Sequence, residues 1–320
     1  MDKEYTGPLA EHIRGLVAEK RATGYVYTTA ATILKRFDIL TEESFPDATT
    51  ITQEVALAWA SRLETECAAS LLNRIAPIRD LAKRMQRMGI EAYVLRNDGF
   101  ARPVRAVRHV FTKQELSLFF AAADSYSDCT RNPNRRLVAQ HLFRTIYCCG
   151  LRPCEATRLK PGGVNLDEGT LEILKAKGDK DRLVYMSDEL RLLLLAYDKA
   201  IAAAMPGRRA FFPNWEGHHI SIKNIENWFN ELWYSLPESI CRTQKKPSIQ
   251  SFLHTFACER IRLWTRAGKD LRSVIFYLSE YMGHESFRET EYYLHLLPEH
   301  FSDLLQSSAA ISDALFPEVV

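Results

Sequence analysis

Residues 96–113 read RNDGFARPVRAVRHVFTK, and this stretch constrains the fold more than any other. Gly99 and Pro103 interrupt any helix there, and Arg96, Arg102, Arg105, Arg108 and Lys113 stand against the single acid Asp98. So cationic a run cannot enter a core without partners, and it reads as an extended connector. It divides the chain into an N-terminal domain at 1–95, a basic linker at 96–111 and a second domain at 112–320. A linker of this kind fits a plain solvated spacer and equally a strap on a protein that closes around a polyanion.

A chain of 320 residues has room for two cores, and 46% hydrophobic with 26% charged residues is the composition of a globular protein. Gly 14 and Pro 13 are too few for long disordered tracts. No run approaches the roughly 18 apolar residues of a membrane helix. The opening MDKEYTGPLAEHIRG is charged where a signal peptide would be apolar, so a soluble, cytoplasmic protein with no membrane partner is expected. The 7 cysteines are scattered without a C-x-x-C pair, which points to reduced thiols and no metal site. A net charge of +2 neither demands nor excludes a nucleic acid, so local clustering must decide.

The N-terminal part reads as short amphipathic helices. Over 27–40, Ala30, Ile33, Leu34 and Phe37 recur at helical spacing, and a second run after Thr52 carries Val55, Leu57, Trp59 and Leu63, both expected as core-facing stripes. A third, over 71–88, sets Leu71, Leu72, Ile75, Ile78, Leu81, Met85 and Met88 on one side. Arg74, Arg79, Lys83, Arg84 and Arg87 interleave with them, before Gly89 offers a stop. That cationic back is either a solvated face or a row of phosphate contacts.

The second domain opens at Thr112-Lys113-Gln114-Glu115, a capping-box signature ahead of Leu116, Leu118, Phe119 and Phe120. A helix over 134–149 stops at Gly150, and Pro153 suits the first turn of the next, which places Arg152 at a helix start. Short strands follow at 164–166, 171–174 and 183–186, with Lys177-Gly178-Asp179-Lys180 as a hairpin turn, and the remainder is helical. The fold class is therefore mainly α with one small antiparallel β-sheet.

Four segments carry the chemistry: GLRPCEATRL at 150–159, KGDKDRLVYM at 177–186, HTFA at 254–257 and MGHESFRETEYY at 282–293. In this order they resemble the tyrosine recombinases, the phage integrase family, and Tyr293 follows His284 of the Gly283-His284 pair at that family's interval. The resemblance implies a helical, SAM-like core-binding domain followed by an integrase-type catalytic domain. It implies that Tyr293 attacks a DNA phosphate to form a 3′-phosphotyrosyl link, which conserves the bond energy without metal, ATP or other cofactor. Arg152 would fork onto the phosphate oxygens, a geometry that lysine does not supply. Glu155 would hold that arginine, Lys177 would protonate the leaving 5′ oxygen, and His284 would hydrogen-bond the phosphate, with His254 in support. Tyr292, about 100° away on a helix, is the less suitable hydroxyl.

One box departs from the family pattern H-x-L-R-H. With His254 aligned to its last position, Gln250 stands where a histidine is expected and Leu253 where an arginine is expected. Gln250 can hydrogen-bond but cannot accept a proton as an imidazole does. Leu253 offers neither donor nor charge, and losing one such donor costs about 100- to 1000-fold in rate. Arg242, Lys245 and Lys246 lie just upstream and fit solvated charge or DNA-backbone contact. Two readings follow: a recombinase of reduced activity, or a DNA-binding accessory protein acting beside an intact recombinase. Double-stranded DNA is the expected partner, met by Arg74, Arg79, Lys83, Arg84, Arg87, Arg102, Arg105 and Arg108, in a DNA-bound tetramer. Phe301, Leu304, Leu305, Ile311, Leu315 and Phe316 are spaced for a tail helix, which either packs at home or docks on a neighbouring protomer.

Overall fold

The computed structural model describes residues 4–64, 66–96, 100–101, 108–174, 181–241, 246–284 and 286–294. The chain divides into two compact units, Met1–Ala106 and Val107–Val320.

The first unit is built from α1 (Ala10–Ala22), α2 (Thr28–Ser44), α3 (Gln53–Ala60) and α4 (Ala68–Arg87). Leu9, Ile13 and Leu16 meet Leu34 and Phe37 of α2, Trp59 of α3 and Ile75, Ile78, Leu81 and Met85 of α4 in one apolar core. Before α1, the buried Asp38 carboxylate accepts the backbone N–H groups of Thr6 at 2.9 Å and Gly7 at 3.1 Å. A Cβ at Gly7 would lie 2.6 Å from the Asp38 carbonyl oxygen, so this close approach requires glycine. Three residues expected on apolar stripes face water instead. Leu57 is 50% exposed because the inward stripe of α3 runs through Val55, Ala56, Trp59 and Ala60. Leu63 is exposed because the helix has already ended at Ala60, and Met88 likewise lies beyond the end of α4.

In the second unit α5 (Lys113–Asp124), α6 (Arg135–Cys148) and α7 (Pro153–Arg158) lead into the sheet, β1 (Val164–Asn165), β2 (Thr170–Ile173) and β3 (Arg182–Tyr185). The sheet order is β1-β2-β3 and both pairings are antiparallel. The expected turn at 177–180 lies outside the described residues. Then come α8 (Asp188–Ala204), α9 (Ile222–Tyr234), α10 (Glu238–Cys241), α11 (Gln250–Arg266), α12 (Leu271–Tyr281) and α13 (Phe287–Leu294). Phe119, Phe143, Phe229, Trp233 and Phe252 interlock in its main core, and Leu253, Ile261, Ile275, Leu278, Met282 and Tyr293 form a second cluster among α11, α12 and α13.

The C-terminal end of the sequence-based linker is corrected. Phe111 is buried 4.9 Å from the Phe252 ring, and its N–H donates to Thr255 Oγ1 at 2.9 Å. Val110 packs on the second cluster, so 109–111 are held by the second core rather than by solvent. The capping box forms as the local sequence dictates: Thr112 Oγ1 accepts from Glu115 N, and the Glu115 carboxylate accepts from Thr112 N at 2.7 Å.

Candidate active site

The site begins where α6 ends. Gly150 takes φ +58°, while Leu151 N–H donates to Ile146 O and Gly150 N–H to Tyr147 O, a Schellman closure that satisfies the last carbonyls. The chain reverses sharply there, and Arg152 becomes the N-cap residue of α7. Its Nη1 donates to Glu155 Oε1 at 3.0 Å and its Nη2 to the Gly283 carbonyl at 3.1 Å. Arg152 thus ties the start of α7 to the turn between α12 and α13.

Glu155 holds a second cation that sequence reasoning missed. Arg182, the first residue of β3, grips both carboxylate oxygens through Nη1 at 3.0 Å and Nη2 at 2.8 Å, and its Nε donates to the Tyr281 carbonyl at 2.9 Å. All three nitrogens are committed, so Arg182 is a brace for the site. Burial drives the Glu155 carboxyl upward, but the hydrogen bond and charge of Arg182, then the backbone and side-chain hydrogen bonds of Arg152, outweigh it and hold it below the usual carboxylate range. The sequence signal was slight, an arginine just ahead of the strand expected at 183–186. Only the distant Glu155 gives it a reason to be buried.

Gly283 takes φ +59°, and the turn it makes sets His284 in place, with Nδ1 hydrogen-bonded to Thr290 Oγ1 at 2.6 Å. The His284 ring stacks on Tyr293, centroids 6.2 Å apart and planes at 17°. On the other side the Tyr293 hydroxyl meets His254 Nδ1 at 3.2 Å. Arg152, Glu155, His284, Tyr293 and His254 therefore come together from three separate parts of the second unit. Tyr292 turns elsewhere, its hydroxyl accepting the N–H of Arg108 at 3.2 Å.

Tyr293 is buried, with only 3% of it exposed. Burial raises its hydroxyl pKa, Cys258 adds to the rise, and the charge of Arg152 opposes it. Leu253 is equally buried, packed in the cluster that contains Tyr293. Gln250 is exposed at the first residue of α11. Lys177, Arg242 and Lys245 lie outside the described residues. Lys246 is exposed with Nζ 5.3 Å over the Tyr234 ring, and Arg260 lies over Phe256, where it does not replace the missing guanidinium.

The cationic back of α4 needs the larger correction. Arg74 is buried, donating from Nε and Nη2 to Glu66 at 2.8 and 2.7 Å, from Nη2 to Ser61 O at 2.9 Å and from Nη1 to Trp59 O. Arg79 donates to Leu95 O at 2.8 Å, and Arg84 and Arg87 share Glu19 of α1 at 2.9 and 2.8 Å. The reason is geometric: α1 packs on α4 and sets an acid against its cations. Lys83 is exposed and has no ion-pair partner among the described residues. Arg108 is exposed, whereas Arg102, Arg105 and the 301–316 tail lie outside the described residues.

Among the described residues no group of three or more His, Cys, Asp or Glu side chains is placed to hold a metal ion, and no helix is long and apolar enough to cross a membrane.

A helical second unit with a small antiparallel sheet, and an arginine, two histidines and a tyrosine drawn together in it, defines a class, and sequence comparison agrees with it. The phage integrase family model matches residues 109–300, and the chain belongs to that family, the tyrosine recombinases. It is 24% identical over 302 residues to the tyrosine recombinase XerC of Oceanobacillus iheyensis, covering 92% of each chain. Its fold is similar to that of the Tn1549 transposon integrase in complex with transposon right end DNA, with a TM-score of 0.64 at 13% identity over 88% of this chain and 94% of that one. It is also similar to the XerH site-specific recombinase bound to a palindromic difH substrate, with a TM-score of 0.61 at 19% identity over 89% and 79%.

Proposed function

We propose that this protein is a site-specific recombinase that breaks and rejoins double-stranded DNA through a 3′-phosphotyrosyl intermediate on Tyr293. The observation that carries this reading is the continuous path from Arg152 through the Gly283 carbonyl and the His284 ring to Tyr293. A phosphate seated at Arg152 would face a hydroxyl already flanked by two imidazoles. In this reading Arg152 neutralises the nonbridging oxygens, His284 hydrogen-bonds them, Glu155 holds Arg152, and Lys177 protonates the leaving 5′ oxygen.

Activity is expected to be reduced, because Leu253 leaves charge on the phosphate without a second guanidinium, at a cost of about 100- to 1000-fold. A second reading, a DNA-binding accessory protein, draws on that same residue and on the burial of Tyr293. A suicide DNA substrate separates the two. A covalent adduct that disappears in Tyr293→Phe supports cleavage, and DNA bound without any adduct supports the accessory role. Leu253→Arg, with Gln250→His alongside, is expected to raise adduct formation at least about tenfold, recovering part of the lost donor.

For assembly, the proposal is a tetramer on DNA in which residues after Leu297 dock on a neighbouring protomer.

A further inference from the structure

We infer that His254 is the general base of the cleavage step, its Nδ1 taking the proton of the Tyr293 hydroxyl as that oxygen attacks phosphorus. The inference rests on the strand-cleavage reading above and assigns a proton acceptor that Gln250 cannot be.

The geometry is specific. His254 Nδ1 lies 3.2 Å from the Tyr293 oxygen, within the range that proton transfer requires, and both residues are buried. Gln250 lies one turn earlier on the same face of α11, so the imidazole at 254 occupies the position a turn deeper in the helix. The other imidazole near the nucleophile, His284, has Nδ1 engaged by Thr290 and presents its ring face to the tyrosine ring. Among the described residues, Cys258 on α11, Arg152 at the start of α7, and Glu289 and Tyr292 on α13 also act electrostatically on Tyr293. Burial makes the unaided hydroxyl a poorer acid, so a base in contact with it has a task to perform.

The Tyr293 O–H bond breaks and its proton passes to Nδ1 of the Nε2–H tautomer, giving an imidazolium. The tyrosine oxygen bonds to phosphorus, the bond from phosphorus to the 5′ oxygen breaks, and that oxygen takes a proton from the general acid, the role proposed for Lys177. Rejoining reverses each transfer, with His254 returning its proton to the tyrosine oxygen.

Two measurements test this. In the DNA-free protein at neutral pH, nitrogen-15 shifts of the His254 ring are expected to show Nδ1 unprotonated and to change in Tyr293→Phe; a proton on Nδ1 overturns the assignment whether or not the protein cleaves. On a suicide substrate, His254→Asn, which keeps an acceptor near the δ position but cannot take the proton, is expected to bind DNA normally and lose about 100-fold in adduct formation. Its rate should then climb with hydroxide by about tenfold per pH unit, as expected when solvent must remove the proton, while that of the unaltered chain levels off. An unchanged rate, or a loss with an unchanged pH profile, overturns the base role alone. Absence of an adduct with the unaltered chain overturns the cleavage reading and the base role with it.

Discussion

Arg74 and Lys83 share α4, and both read from the sequence as candidate phosphate contacts, yet their surroundings separate them. Arg74 donates to the carbonyls of Trp59 and Ser61 and to Glu66, with its guanidinium 4.9 Å over the Trp59 ring. Arg74→Ala should therefore lower unfolding stability by about 2–3 kcal/mol, because the Glu66 charge and two carbonyls lose their donor. Denaturant unfolding would read that loss. Lys83→Ala should leave stability within about 0.5 kcal/mol and instead reduce the salt dependence of DNA affinity by roughly one counterion. Glu155 gives a pH prediction. Its carboxyl is held below the usual range in the folded chain, so its contribution is present above the unfolded value of about 4.3 and lost as pH falls through the folded value. Thermal unfolding in acid should show that loss. Glu155→Gln should remove this part of the acid slope while melting lower at neutral pH, since Arg152 and Arg182 would lose their shared anion.

At the scale of elements, Gly150 shows how a turn fixes a site. A side chain there would have to accept φ +58° and would collide with the Phe256 ring. Gly150→Ala should cost about 2 kcal/mol or more by denaturant unfolding, and it should displace Arg152, the residue next but one along the chain. Helix starts and stops were legible because their causes are local: the Thr112–Glu115 box, Pro153 at the head of α7 and Gly150 at the end of α6 each act within a few residues. The inward stripe of α3 was less legible. Val55 and Trp59 were placed correctly, but Leu57 and Leu63 depend on where a short helix ends and which neighbour covers it. Strand positions were close for the same reason that helices were, although Thr170 and Arg182 joined the ladder through pairing with Tyr185 and Ile173, partners remote in sequence.

For the whole molecule, the proposed docking of the C-terminal residues is tested by truncation after Leu297. Gel filtration with DNA should show a smaller assembly, while thermal unfolding of the DNA-free chain stays within a few degrees. A tail that instead packs at home would lower the melting temperature of the free chain as well. The two units do not share an apolar cluster: one cluster fills the first unit, and two fill the second.

What the sequence determined by itself were the properties that neighbouring residues settle: helix periodicity, caps, the cationic break near residue 100, and the order of motifs with the His284-to-Tyr293 interval that resembles the family. Tertiary structure decided which charges are free and which atoms meet. Glu19 facing α4, Glu66 beneath Arg74, Arg182 on Glu155 and His254 against Tyr293 join residues that lie apart along the chain. Electrostatic and hydrogen-bond energies depend on distance and burial, and both are fixed only when separate helices pack. An arginine read as a DNA contact thus became a structural brace, and the last histidine of a degenerate box came to lie against Tyr293.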